Sequence, residues 1–172
     1  MDRKPIVLLV DDDPGVPAGL ARMFRREPWR ILVAHSGAEA LAILEREDVD
    51  VIVTDEQMPG MRGSELLAEV QRRKPDVLGM ILSGQATLEA AIRAINEGRI
   101  WRFFLKPANP EDLRFSIRQA LELRQLLAEN RRLAAELEER DRVLRQLEER
   151  HPGITELRED EDGAILLDPA DA

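Results

Sequence analysis

The chain has 172 residues, 44% of them hydrophobic, 34% charged and only 3% aromatic, which allows one ordinary domain plus an appendage and points to a soluble chain carrying a long charged helix. A formal net charge of -9 argues against holding nucleic acid through the overall field, because neutralising phosphates takes clustered Lys and Arg. There is no cysteine, which excludes disulfides and thiolate metal sites, and no stretch approaches a membrane span, so a cytoplasmic protein is expected.

Five short apolar runs follow one another: Ile6 to Val10, Trp29 to Ala34, Val51 to Thr54, Val77 to Leu82 and Trp101 to Leu105. Most are rich in Val, Ile and Leu without polar alternation, the pattern of strands buried on both faces of a parallel sheet. The first runs straight into Asp11, Asp12 and Asp13, and two unit charges about 4 Å apart repel by roughly 4 kcal/mol at an effective dielectric near 20. Something must offset that repulsion.

Amphipathic helices are predicted between the runs. Ser36 followed by Glu39 reads as a capping box, with Ala40, Leu41, Ile43 and Leu44 supplying an apolar stripe. Gly98 closes a helix predicted from about Thr87 to Glu97. Asn109 reads as an N-cap with Pro110 at the first helical position, and Glu111 and Asp112 sit where the helix dipole favours anions. Strand and helix thus alternate five times, which resolves as an α/β fold, a parallel sheet covered on both faces through right-handed crossovers. Such a sheet carries its working site at the carboxyl ends of its strands.

The last helix runs from Pro110 to about Arg150 without Gly or Pro, roughly 60 Å at about 1.5 Å per residue. From Leu123 a heptad can be laid down with Leu123, Asn130, Leu137 and Leu144 at a and Leu126, Leu133, Arg140 and Leu147 at d. A lone Asn at an a position is a device for fixing register and dimer state, so a parallel homodimer through residues 123–150 is expected. Arg140 in the seam and the e and g residues weaken it, and the alternative is a lone helix packing back on its own domain. Arg118, Arg124, Arg131, Arg132, Arg140, Arg142 and Arg145 alternate with acids and read as a solvated face. The chain therefore divides into a domain at 1–122, the coiled-coil extension at 123–150 and an acidic tail at 151–172. The tail reads as a short β-hairpin around Asp162-Gly163 or as disorder.

At the strand ends stand Asp11, Asp12 and Asp13, then Asp55, Ser83 and Lys106. Converging carboxylates raise one another's pKa unless a cation sits among them, and Mg2+ suits few carboxylates and phosphate oxygens. A carboxylate there can act as a nucleophile towards phosphorus, with Lys106 and Ser83 as the donors that phosphoryl transfer requires. Asp13, just before Pro14, reads better as a helix cap than as a ligand. His35 ends the second strand away from these acids and His151 precedes Pro152-Gly153, so neither is a catalytic candidate.

"LLVDDDP", "VIVTDEQMPGMRGSELL", "ILSG" and "FFLKP" together resemble the receiver domain of bacterial two-component response regulators, of the chemotaxis-regulator type, over about residues 4–122. The resemblance implies a flavodoxin-like five-stranded parallel sheet in strand order 2-1-3-4-5. It also implies Asp55 as phosphoacceptor, with Asp11, Asp12, Asp55 and the Gln57 backbone carbonyl around Mg2+. Ser83 and Phe103 would be the switch residues and Lys106 the phosphate-binding Lys. Gln57 and Gln85, each two residues after a site residue, would border the path of the hydrolytic water and tune the lifetime of the phosphorylated state. Ala108 departs from the aromatic common after the Lys-Pro pair.

The expected function is a non-enzymatic, phosphorylation-dependent response regulator. A sensor histidine kinase would act on it, and an unidentified downstream protein would read its state, with no nucleic acid or membrane as partner. No DNA-binding or catalytic output motif follows the domain. Two other readings compete: a degenerate receiver kept as a dimerisation scaffold, and a phosphatase using an aspartyl-phosphate at Asp11 with Asp13 as second acid.

Overall fold

The computed structural model describes residues 3–84 and 100–152. Five strands, β1 (Ile6–Val10), β2 (Arg30–Ala34), β3 (Val51–Asp55), β4 (Leu78–Ser83) and β5 (Arg102–Leu105), pair in parallel in the order β2-β1-β3-β4-β5. This is the flavodoxin-like order that the resemblance implied. Among the described residues the helices are α1 (Gly15–Met23), α2 (Gly37–Arg46), α3 (Gly63–Arg73) and α4 (Pro110–Arg150). The helix predicted at 87–97, Gln85, and the tail from 153 onward lie outside the described residues.

Alternate strand residues build two cores, one on each face of the sheet. Leu8, Val10, Ile52 and Ile81 pack with Leu44 of α2 and Leu66, Leu67 and Val70 of α3. Val7, Leu9, Val53, Met80 and Leu82 pack with Phe24 and Trp29 and with Leu113, Ile117 and Ala120 of α4. The strands β1 and β3 are buried throughout, whereas β2 and β5 keep exposed or half-buried residues. Burial on both faces fails at these two because they are the sheet's edges.

The helix starts follow their local chemistry. Ser36 Oγ accepts the Glu39 N–H at 3.2 Å, and the Glu39 carboxylate reaches back to the N–H of His35 rather than of Ser36. Asn109 Oδ1 accepts the Glu111 N–H at 2.9 Å. Asp13 Oδ1 accepts the Gly15 N–H at 2.9 Å, so this third acid is engaged at the start of α1, which begins one residue after Pro14.

Arg124 is no solvated surface residue. Its guanidinium pairs with the buried carboxylate of Asp50 and donates from Nε to the Asp76 carbonyl at 3.2 Å. Asp50 also accepts both Arg3 terminal nitrogens, at 2.8 and 2.9 Å, and the Ile6 N–H at 2.7 Å. A buried carboxylate persists because several donors share its charge, and this cluster joins the first residues of the chain, the start of β3 and α4.

The chain separates into units at 1–126 and 127–172. In the second unit the described residues form the rest of α4, with Leu127, Leu133, Leu137, Leu144 and Leu147 exposed. No helix of the described residues is long and apolar enough to cross a membrane.

Candidate functional site

Parallel register brings the four strand ends together. Val10 stands beside Thr54, Asp55 beside Leu82, and Ser83 beside Leu105, so Asp11, Asp55, Ser83 and Lys106 crown β1, β3, β4 and β5 in adjacent positions. Main-chain bonds lock this rim: the Glu56 N–H donates to the Leu82 carbonyl and the Lys106 N–H to the Ser83 carbonyl, each at 2.8 Å. Asp11, Asp55 and Ser83 are all buried, at 3%, 5% and 1% exposure.

The repulsion among the acids is answered from within the chain. Lys106 Nζ lies 2.7 Å from Asp11 Oδ2 and 2.6 Å from Asp55 Oδ1, bridging the two buried carboxylates. Burial of the ammonium works against its charge, but the hydrogen bonds and charges of Asp11 and Asp55 outweigh that and hold the Lys106 pKa above its ordinary value. The remaining oxygens are engaged too: Asp11 Oδ1 accepts the Asp13 N–H at 3.0 Å, and Asp55 Oδ2 accepts the Gln57 N–H at 2.7 Å. The Lys106-Pro107 peptide is cis.

Asp12 and Asp13 are exposed, and no three Asp, Glu or His form a metal cluster among the described residues. Two buried carboxylates against one ammonium still leave an excess negative charge at a rim of hard oxygen donors. That composition suits a small divalent cation rather than a soft one.

Phe103 is half-buried on the face of β5 that packs against the α2–α3 core, three residues before Lys106. His35, expected away from the acids, instead brings Nδ1 within 3.4 Å of the Asp11 carbonyl oxygen. The parallel register of β1 with β2 sets this, since Val10 stands beside Ala34 and the Asp11 N–H continues the ladder to the Ala34 carbonyl at 3.2 Å.

The loop after Asp55 is closed by groups that sequence reasoning did not single out. Glu56 accepts the Ser64 N–H and hydroxyl at 2.9 and 2.8 Å, and its carbonyl accepts the Gly63 N–H at 3.1 Å. The usable signal was a Ser in the first turn of α3, eight residues after an acid. The loop's backbone is thereby held beside Asp55, and Gln57 within it is aimed by its own N–H.

A family model described as response regulator receiver domain matches residues 7–118. The hydrogenase transcriptional regulatory protein HoxA of Cupriavidus necator is 39% identical over 136 residues, 79% of this chain and 28% of HoxA, so this chain spans little over a quarter of that relative's length. The signal receiver domain of an HD domain-containing protein from Pseudomonas fluorescens Pf-5 has a TM-score of 0.68 at 32% identity, covering 72% of this chain and 98% of that one. The response regulator protein TrrA of Thermotoga maritima, solved in complex with Mg(2+)-BeF, shares the fold with a TM-score of 0.61 at 24% identity, over 68% of this chain and 99% of its own. With the model matched over more than half of the chain and the sheet in the order of its solved neighbours, this chain belongs to the response regulator receiver domain family.

Proposed function

We propose that Asp55 accepts a phosphoryl group from a sensor histidine kinase and that the resulting state is read by a downstream protein, with no catalysis by the domain itself. The observation that carries the reading is the Lys106 ammonium seated between the Asp11 and Asp55 carboxylates. A carboxylate oxygen of Asp55 attacks phosphorus, the P–N bond to the kinase imidazole breaks, and the ring nitrogen leaves with the electron pair. Lys106 then has a new phosphoryl oxygen to neutralise, and the Ser83 hydroxyl donates to another. Movement of Ser83 towards the phosphoryl group, with Phe103 following on the next strand, biases the face around β5 between two arrangements.

Asp11, Asp12, Asp55 and the Gln57 carbonyl would hold Mg2+, which when bound supplies neutralisation of the phosphoryl oxygens. Gln57, held beside Asp55 by its own N–H, would set how fast water reaches phosphorus, a role that the resemblance extends to Gln85, outside the described residues. The phosphatase reading is weakened because the Asp13 carboxylate is spent on the Gly15 N–H. Beryllofluoride with Mg2+ is expected to bind the unaltered protein stoichiometrically, as read by fluorine NMR; failure to bind would favour the scaffold reading.

The two neighbouring acids separate experimentally. Asp12→Asn should weaken Mg2+ affinity by about tenfold or more, because one hard donor charge is lost where water is the only replacement. Asp13→Asn should leave it within about threefold, since an Asn oxygen can still cap α1. Calorimetric titration with MgCl2 decides, and equal losses in both variants would remove Asp12 from the ligand set.

Residues 123–150 form a parallel homodimer in this reading. The support is the row of exposed seam leucines, Leu126, Leu133, Leu137, Leu144 and Leu147, and the charge placement beside it. Arg132 pairs within its own helix with Glu129 and Glu136, so two like-charged g positions are neutralised before any partner approaches. Light scattering should give the mass of two chains for the unaltered protein and of one for Leu133→Glu/Leu137→Glu. One chain in the unaltered protein would sink the dimer.

A further inference from the structure

Between the end of α1 and the first turns of α4 lies an open cleft of about 480 Å3 lined by Arg22, Met23, Arg25, Arg26, Glu27 and Arg114. Four arginines meet there in a chain of net charge -9. Among the described residues the one lining acid is already used. Glu27, its side chain 7% exposed, takes two nitrogens of Arg118 at 2.8 to 3.1 Å and lies 3.5 Å from Arg114 Nε. Arg114 also pairs with Glu111 at 2.9 Å, yet its Nε–H is buried without a hydrogen bond.

The side chains of Arg22, Arg25 and Arg26 make no ion pair or hydrogen bond among the described residues. The end of a helix explains one such cation, because unsatisfied carbonyls there favour positive charge, and Arg22 stands in the last turn of α1. Arg25 and Arg26 follow Phe24, the residue that closes the helix, so that account does not cover them. Mutual repulsion among exposed guanidinium groups that pair with no acid among the described residues is a cost that a ligand would remove.

We propose that this cleft docks an acidic peptide segment of a partner protein, its carboxylates paired by Arg22, Arg25 and Arg26 and an apolar side chain resting on Met23, which is 48% exposed. The planar fork of Arg matches a carboxylate through two parallel hydrogen bonds. A nucleic acid fits worse. Among the described residues the cleft offers no aromatic face for base stacking, since Phe24 and Trp29 nearby are 1% and 5% exposed. The inference does not rest on phosphorylation of Asp55 and can fail or stand without it.

The test uses the full chain and three probes: a fluorescein-labelled peptide of alternating Glu and Leu, a single-stranded oligonucleotide of equal charge, and inorganic pyrophosphate. Fluorescence anisotropy at low salt should show saturable peptide binding, weakened roughly tenfold or more in Arg25→Glu/Arg26→Glu and by added salt, as expected for exposed charge pairs. Both positions are exposed, so the variant should keep its far-UV dichroism and its beryllofluoride binding. The proposal is overturned if the peptide does not saturate, if the double variant binds it equally, or if the oligonucleotide or pyrophosphate displaces it at lower concentration than unlabelled peptide.

Discussion

Asp55→Asn should abolish covalent labelling by acetyl phosphate with Mg2+, to less than about 1% of the unaltered rate, because an amide is not a nucleophile towards phosphorus. The loss is chemical and not a collapse of the fold. Asn has the shape of Asp, and one face of its amide can still accept a hydrogen bond. Its second face cannot, because Asp55 now receives donors on both oxygens, Lys106 on Oδ1 and the Gln57 N–H on Oδ2. Whichever way the amide turns, one donor meets an NH2 group, which costs about 1–3 kcal/mol. Part of that is returned, since one of two buried carboxylates sharing a single ammonium is gone. The variant should therefore melt cooperatively, close to the unaltered protein. Labelling that persists at the original rate would move the nucleophile to Asp11 or Asp12 and overturn the assignment of Asp55.

Much of that site was legible because it depends on local sequence and on one topological rule. Apolar runs ending in Asp11, Asp55, Ser83 and Lys106 become a single site once the strands are parallel, whatever the details of packing. The caps at Ser36 and Asn109 are likewise set within a few residues. What escaped was chemistry between distant positions. Lys106 was expected as a donor to phosphate, and its second task, standing between Asp11 and Asp55, needs the distance between β1 and β5 across β3 and β4. Arg124 looked like one member of a charged helix face until Asp50, 74 positions earlier, met it. His35 looked remote because it was judged without the register of β2 on β1, which sets Val10 beside Ala34 and so His35 beside Asp11. Edge strands misled for a related reason: β2 and β5 have the apolar composition of central strands, and only sheet order tells which strands lack a neighbour.

Gly63→Ala should be the most damaging Gly→Ala change among the described glycines. A Cβ built on Gly63 lies 2.2 Å from the Asp55 carbonyl oxygen and 3.0 Å from both the Asp55 carbonyl carbon and Thr54 Cγ2. None of these is the loose end of a long side chain. Two are backbone of the strand carrying Asp55, and the third is a β-branched group that is fully buried. The carbonyl oxygen also accepts the Thr54 hydroxyl at 3.0 Å, so displacing it breaks a buried bond. Relief by moving the first turn of α3 stretches the bonds from Gly63 and Ser64 to Glu56. Overpacking against such neighbours costs about 3 kcal/mol, a fall of roughly 10 °C in Tm for a domain of this size. Phosphorylation of Asp55 should slow as well, since its carbonyl and the loop carrying Gln57 both shift. Two other glycines calibrate the effect. Gly60 has φ +82° but open space around its Cβ, so Ala there bears only the left-handed backbone cost of about 1–2 kcal/mol. Gly19, inside α1 with nothing within 4 Å, should be stabilised by about 0.5–1 kcal/mol as Ala. Thermal unfolding should therefore rank the variants Gly19→Ala, Gly60→Ala, Gly63→Ala from most to least stable, and a Gly63→Ala protein as stable as Gly60→Ala would show that α3 does not press on β3.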